Sequence, residues 1–237
     1  MNITQETIVG ELVAKDYRTA TVFKEHGIDF CCNGNRTIRE ACDKKHVEID
    51  LLIENLLHAS ADSGNTNIDY QSWPLDLLAD YIEKKHHRYV KNRIREITPF
   101  LQKVARVHGD RHPELLQVEY LFSASAIELT EHLKKEEQIL FPYIRKAVAE
   151  GPGRPAFGSV ENPISVMMEE HSNEGERFAK IAELTNNYTP PEDACNTYRV
   201  TFSLLKEFED DLHLHIHLEN NILFPKTIEM EKQLSLS

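Results

Sequence analysis

Long hydrophobic runs are missing from this chain of 237 residues. No stretch approaches the roughly 18 to 20 apolar residues that cross a bilayer as a helix. The opening Met-Asn-Ile-Thr-Gln-Glu also lacks the basic region and apolar core of a secretory signal. These absences lead to the expectation of a soluble, cytoplasmic protein with no membrane partner. Basic residues are scarce as well, 27 Lys and Arg against 39 Asp and Glu, for a formal charge of −12. Association with a phosphate backbone rests on clustered Lys and Arg, so nucleic acid is excluded as the main partner. Cysteine is sparse: four residues, two of them adjacent, make no disulfide framework for a chain of this size and suit a reducing compartment. Strand signals are nearly absent, which leaves helices.

Short helices punctuated by turns are expected over the first 58 residues: Thr7 to Lys15, Thr19 to His26 stopped by Gly27, Thr37 to Lys45, and Ile49 to His58. Residues 59–73 are polar, carry Gly and Asn, and show no sustained apolar period, as a linker does. From residue 74 to 237 the pattern changes to long helices, broken at Val107–Pro113, at Gly151–Pro163 and at Asn186–Pro191. Each break contains Pro, where a helix must stop or start. Segments of about 25 to 35 residues make helices ~35 to 50 Å long. The expected fold is all-α: a small helical amino-terminal domain, then an up-down-up-down four-helix bundle.

Apolar residues follow steps of three and four along these helices. In the first, Val90, Ile94, Ile97, Leu101 and Val104 form the stripe, and three places before Val90 stands His87. The third carries Ile164, Met168, His171, Phe178 and Ala182, and the fourth Leu205, Phe208, Leu212, His215, Glu219 and Ile222. In the second, His132 and Glu136 lie between Val118 and Leu121 on one side and Ile139 and Tyr143 on the other. Polar ligating groups therefore occupy core positions in every helix.

Of the twelve histidines, only His132 and His215 have Glu four residues on, at Glu136 and Glu219. Residues four apart share a helix face, so each pair aims an imidazole and a carboxylate at one spot. One such pair alone reads most simply as a hydrogen-bonded core histidine. The repeat removes that reading: His87 precedes His132 by 45 residues and His171 precedes His215 by 44, so one helical hairpin is written twice. Four His and two Glu are too many for one tetrahedral zinc, and no thiolate joins them. Two metal ions fit, each on two histidines with the glutamates between them, and imidazole with carboxylate suits iron first, manganese second. Ferritin-like proteins use Glu-x-x-His, found here only at Glu83 to His86, so a ferritin-like cage is disfavoured.

The doubled His-x-x-x-Glu-x-x-x-x-x-Pro resembles the hemerythrin-like di-iron bundle. Respiratory hemerythrins add a fifth histidine and an aspartate, for which this chain shows no candidates, so a simple oxygen carrier is not expected. Lys135–Pro142, Pro163-Ile-Ser-Val-Met, Glu170-His171, Leu218–Pro225 and Gly27-Ile-Asp-Phe-Cys31-Cys32-Asn-Gly are similar to the repair-of-iron-centres family, nearly end to end. That resemblance implies His87, His132, Glu136, His171, His215 and Glu219 as ligands of two iron ions bridged by oxo and carboxylate groups. It implies repair of iron–sulfur clusters damaged by nitrosative or oxidative stress, by iron donation to the damaged protein more than by turnover, with nitric oxide bound at the irons. A reversible oxygen or nitric oxide sensor or carrier, or a nitric oxide reductase, are the alternatives. Pairing of two chains as a homodimer is left open.

Glu128 and Asp211 stand four residues before His132 and His215, where a carboxylate can orient a ligating imidazole; the plain alternative is solvated helix acids. Glu170 resembles a family acid on the route to the metal, against the alternative of a surface charge. His86 is expected at the surface or behind the ligands, and His213 and His217 facing elsewhere. Cys31 and Cys32 are candidate reactive thiols near a helix start, where the positive helix end lowers a thiol pKa, with buried free cysteine as the alternative. The resemblance implies a thiol role in redox, nitric oxide handling or iron transfer. Cys42 and Cys195 are read as packing residues.

Overall fold

A computed structural model describes residues 3–61, 68–151, 153 and 155–235, with the side chains of 234 and 235 outside the description. Among the described residues there is no strand, only an isolated bridge between Ile8 and Thr37. The chain divides into two compact units, residues 1–78 with 216–237, and residues 79–215. The sequence pattern assigns all of 74–237 to the bundle, yet residues 216–237 fall in the same unit as the first helices.

In the first unit four short helices come first: α1 (Val9–Lys15), α2 (Thr19–Glu25), α3 (Ile38–Lys45) and α4 (Ile49–Ala61). Helix α2 ends because Gly27 takes φ +65°, and the Ile28 N–H then reaches back to the Phe23 carbonyl at 2.8 Å, closing the exposed turn. Helix α3 starts on a capping box, Thr37 and Glu40 each accepting from the other's backbone N–H. Residues 7 to 10 run beside 34 to 38, with Val9 N–H on the Arg36 carbonyl, Gly10 N–H on that of Gly34 and Ile38 N–H on that of Thr7. The core is built from Val9, Leu12, Val13, Phe23, Ile38, Leu52 and Leu56, all buried. Helix α4 runs three residues past the expected His58. Six residues of the expected linker, 62–67, lie outside the described residues, while a 3₁₀ turn at Tyr70–Ser72 buries Tyr70 against the Trp73 ring.

The bundle helices are interrupted by π turns, three among the described residues. Helix α5 (Leu75–Tyr81) passes through Ile82–His87 into α6 (Arg88–His108). Helix α7 (Glu114–Lys135) passes through Glu136–Leu140 into α8 (Phe141–Glu150). Helix α9 (Glu161–Leu184) is unbroken, and α10 (Asn196–Leu218) passes through Glu219–Leu223 into α11 (Phe224–Ser235). Pro142 and Pro225 explain two of these turns. Proline lacks an N–H and its ring crowds the carbonyl four residues back, at Gln138 and Asn221, so widening the preceding turn relieves both problems. The 82–87 turn has no proline, and its cause is not evident from the sequence.

Each π turn inserts a residue and shifts the stripe that follows. Leu140 and Ile144 are buried where an unbroken α-helix would bury Ile139 and Tyr143, and Ile139 is half exposed. On α9 the stripe runs Ile164, Met167, His171, Glu174, Phe178, Ile181, so Met167 takes the core position expected of Met168. In the second unit Phe208 of α10 stacks on Phe178 of α9 and meets Phe122 of α7 edge-on, at 5.5 and 5.6 Å between centroids. No described helix is long and apolar enough to cross a membrane.

Candidate metal centre

All six histidines and glutamates of the expected ligand set are buried, though they come from four different rods of helix. In the second unit His87, Glu136 and His215 each offer a ligand atom within 4.8 Å of the others, and His132, Glu136 and His171 do the same. Glu136 belongs to both groups. Glu219 follows His215 by one turn on one continuous helix and opens the π turn there, as Glu136 follows His132 and opens its own. The two groups therefore repeat the hairpin duplication.

The outer nitrogens of two rings are already committed. His132 Nδ1 donates to Glu170 Oε2 at 2.8 Å, and His87 Nδ1 donates to Glu137 Oε1 at 2.9 Å, since a carboxylate can only accept. A neutral imidazole then presents a lone pair at Nε2. His87 Nε2 and His132 Nε2 lie 3.4 and 3.3 Å from Glu136 Oε2, and His132 Nε2 lies 3.0 Å from His171 Nε2. Glu136 is 0 % exposed, and among the described residues no donor reaches either oxygen in hydrogen-bond geometry. Burial alone would raise its pKa, and only protonated His132 and His87 rings would hold it well below the usual carboxylate range. Lone pairs facing an ionised carboxylate repel, so positive charge must enter among them, from doubly protonated rings or from a bound cation. Desolvation disfavours the first, and a metal ion satisfies every atom at once. The donor set fits a metal centre of nitrogen and oxygen ligands.

The supporting acids are tuned accordingly. Hydrogen bonds from His87 and from Lys91 hold the Glu137 carboxyl at about 2, and His132 with Lys135 does the same for Glu170, also about 2. Both stay ionised under any ordinary condition and fix the tautomer of the ring they face. Glu170 thus lies against the ring of an expected ligand, His132. Glu128 and Asp211 are not where helical spacing put them: Glu128 pairs with Arg177 at 2.8 Å, and Asp211 meets His86 Nδ1 at 3.0 Å. Of the two places expected for His86 the structure takes the buried one: the π turn rotates it inward to stack on His215, 5.6 Å away with planes 13° apart. Desolvation lowers its pKa, and Asp211 opposes that.

Sequence reasoning missed Glu137 and Glu174. Glu137 sits next to Glu136 at the start of a π turn, and that turn has a signal, the proline six residues after Glu136. Glu174, three residues after His171 on the stripe, accepts from Ser125 Oγ at 2.7 Å and pairs with Arg177; burial raises its pKa. A cavity of about 460 Å³ opens beside His132 and His171, lined by Glu128, Glu131, Glu169, Glu170 and Glu174 with Lys135 among them. Such a wall concentrates cations.

In the first unit Cys31 is buried and Cys32 half-buried, their sulfurs 3.6 Å apart. The expectation of a lowered thiol pKa fails for Cys31. Its hydrogen bond with Cys32 and its burial push it well up, with the Asp29 carboxylate adding to both. His217 is buried between Tyr17 and Phe30, and burial lowers it to about 3. Cys195 is exposed rather than packed, with His108 Nε2 at 3.3 Å, whereas Cys42 is buried as expected.

Comparison with known proteins agrees with this picture. Residues 78–227 match the hemerythrin HHE cation binding domain, and residues 5–60 match a domain of unknown function, DUF542. The iron-sulfur cluster repair protein YtfE of Yersinia pseudotuberculosis serotype O:1b (strain IP 31758) is 40% identical over 225 residues, which is 94% of this chain and 97% of that protein. The protein of the same name from Yersinia pestis (strain Pestoides F) is similar to the same extent, 40% identical over 225 residues.

Proposed function

The chain belongs to the family of iron–sulfur cluster repair proteins with a hemerythrin HHE cation binding domain, and we propose that it holds two iron ions and donates iron to iron–sulfur proteins damaged by nitrosative or oxidative stress. Its proposed ligands are His87, His132, Glu136, His171, His215 and Glu219, with Glu136 and Glu219 between the two ions. The observation that carries the reading is Glu136, a fully buried carboxylate shared by two histidine pairs and reached by no hydrogen-bond donor among the described residues.

Bound iron supplies open coordination positions at which a small ligand such as nitric oxide or oxygen can sit. The chain's own residues do the rest. Glu137 and Glu170 hold the His87 and His132 rings with their inner nitrogens facing Glu136. Nitrogen and oxygen donors bind ferrous iron less tightly than thiolates would, as a donor requires. The acidic cavity beside His132 and His171 gives a departing cation a favourable path. The amino-terminal domain over residues 1–58 contributes Cys31 and Cys32 as the thiol part of the chemistry, and the protein acts in the cytoplasm.

Mixing the iron-loaded protein with a nitrosylated cluster protein tests this. Recovery of cluster activity matched by loss of iron from the chain is the expected result. Binding without iron loss would point instead to a sensor, and repeated turnover to nitrous oxide would point to a reductase.

A further inference from the structure

The thiol loop and the π turn that begins at Glu219 are tied together by two asparagines. Asn220 Nδ2 donates to the Cys31 carbonyl at 3.1 Å, and Asn221 Nδ2 donates to the Phe30 carbonyl at 3.2 Å. The other side of Asn221 is fitted as closely. A Cβ on Gly10 would lie 2.4 Å from Asn221 Oδ1, and one on Gly34 would lie 2.9 Å from the Gly10 Cα. A side chain at Gly10 would press on the amide, and one at Gly34 on the Phe30 carbonyl and on Gly10, so glycine suits both positions. Within the loop, Asp29 Oδ1 accepts from the backbone N–H groups of Cys31 and Cys32, at 3.0 and 2.9 Å, so the loop moves as one piece. A displacement of the Cys31 carbonyl is therefore passed to Asn220, the residue after Glu219.

We propose that Asn220 and Asn221 are positioning residues that link the state of the Cys31–Cys32 thiols to the placement of the Glu219 carboxylate. The linkage rests on the reading of Glu219 as a metal ligand. Metal that fixes Glu219 fixes the π turn, the two amides and the loop, and so slows attack on the more exposed thiol, Cys32. Blocking Cys32 is expected to weaken the metal site in turn; the two factors need not be equal, since one is a rate and the other an affinity.

The test compares alkylation of Cys32 by N-ethylmaleimide in the full-length protein with and without ferrous iron, anaerobically, followed by mass spectrometry, with retained iron measured after desalting. In the unmodified sequence iron is expected to slow alkylation about five-fold or more, the lower end of typical coupling between sites. In N220D/N221D, where size is kept and the donors are lost, the ratio is expected to fall to about one while iron is retained. Protection that persists in the double variant means that iron sits on the thiols themselves or acts by another route, and overturns the linkage. If the unmodified protein retains no iron, the metal reading fails and the linkage with it. Should the double variant lose its helical circular dichroism, N221D alone carries the same comparison. A merely structural role for the amides would alter folding without making thiol reactivity depend on iron.

Discussion

The hairpin is written twice, but the residues after its two glutamates do different work. Glu136 is followed by Glu137 and Gln138, Glu219 by Asn220 and Asn221. In the first copy the residue after the glutamate turns to an imidazole, Glu137 accepting from His87 Nδ1 and from Lys91. In the second copy the same position turns to backbone, Asn220 donating to Cys31. A π turn leaves its side chains off the ordinary helical faces, so one scaffold has bracing a metal ring and clamping a loop as separate uses for equivalent positions. Charge decides which: an ionised acid beside an imidazole fixes its tautomer, whereas a neutral amide can donate to a carbonyl without bringing a charge into the first unit.

The largest expected effect falls on what the copies share. Glu136→Leu removes a carboxylate common to both histidine pairs, so metal content is expected to fall from two ions per chain to one or none. The same substitution removes a carboxylate whose pKa, with the facing rings protonated, lies below the usual range in the fold, and the metal-free protein is expected to unfold at a lower temperature. Metal analysis and thermal unfolding read both; a variant that still holds two ions would break the assignment. Glu219→Leu is expected to match it, and a mismatch would make the copies unequal in binding as well as in bracing.

Next in size is the difference itself. Removing an outer acid that orients a ligand typically costs about 10- to 100-fold in metal affinity. Glu137→Gln should show that loss, whereas Asn220→Ala should shift iron affinity by no more than about five-fold and register mainly in thiol reactivity. Equal affinity losses in a competition titration would erase the distinction. Smaller again is Gly10→Ala, whose added methyl meets Asn221 Oδ1 and, at 3.1 Å, the Gly34 carbonyl. Overpacking of this kind costs about 1 to 3 kcal/mol, read by urea unfolding, and an unchanged midpoint would show that the amide is free to move away.

Most of the fold was legible because helix periodicity and proline-marked breaks are local signals. The proposed ligand set stands out because i, i+4 pairs on a core stripe bring two donors to one place with no knowledge of tertiary structure. Two of the differences trace to π turns. A π turn adds a residue without altering composition, so the helical pattern puts Ile139 where Leu140 is and leaves His86 between the surface and a place behind the ligands, where it stacks on His215. Pairing between distant helices was equally silent: nothing in the neighbourhood of Glu128 announces that its partner is Arg177, or that Asp211 belongs to His86. The end of the last helix keeps company with the amino-terminal helices, and two of the side chains that join them, Asn220 and Asn221, are ones that composition alone leaves unremarked.

The smallest effect sharpens the contrast between acids that serve an imidazole and one whose partners are Ser125 and Arg177. Glu137 is held at about 2 by His87, yet burial raises Glu174. A carboxyl whose folded pKa lies above its unfolded value adds stability below the unfolded pKa, near 4.5, and that contribution is lost as pH rises through the folded value. At pH 7 the buried charge is therefore a net burden. Glu174→Gln keeps an acceptor for Ser125, removes the charge, and leaves Arg177 its pairing with Glu128. The metal-free variant is expected to equal or slightly exceed the parent in stability at pH 7, with the difference shrinking or reversing toward pH 4. Unfolding free energies measured across that range decide it. If the variant is weaker by more than about 1 kcal/mol at pH 7, the Arg177 pairing outweighs burial, and Glu174 belongs with the bracing acids after all.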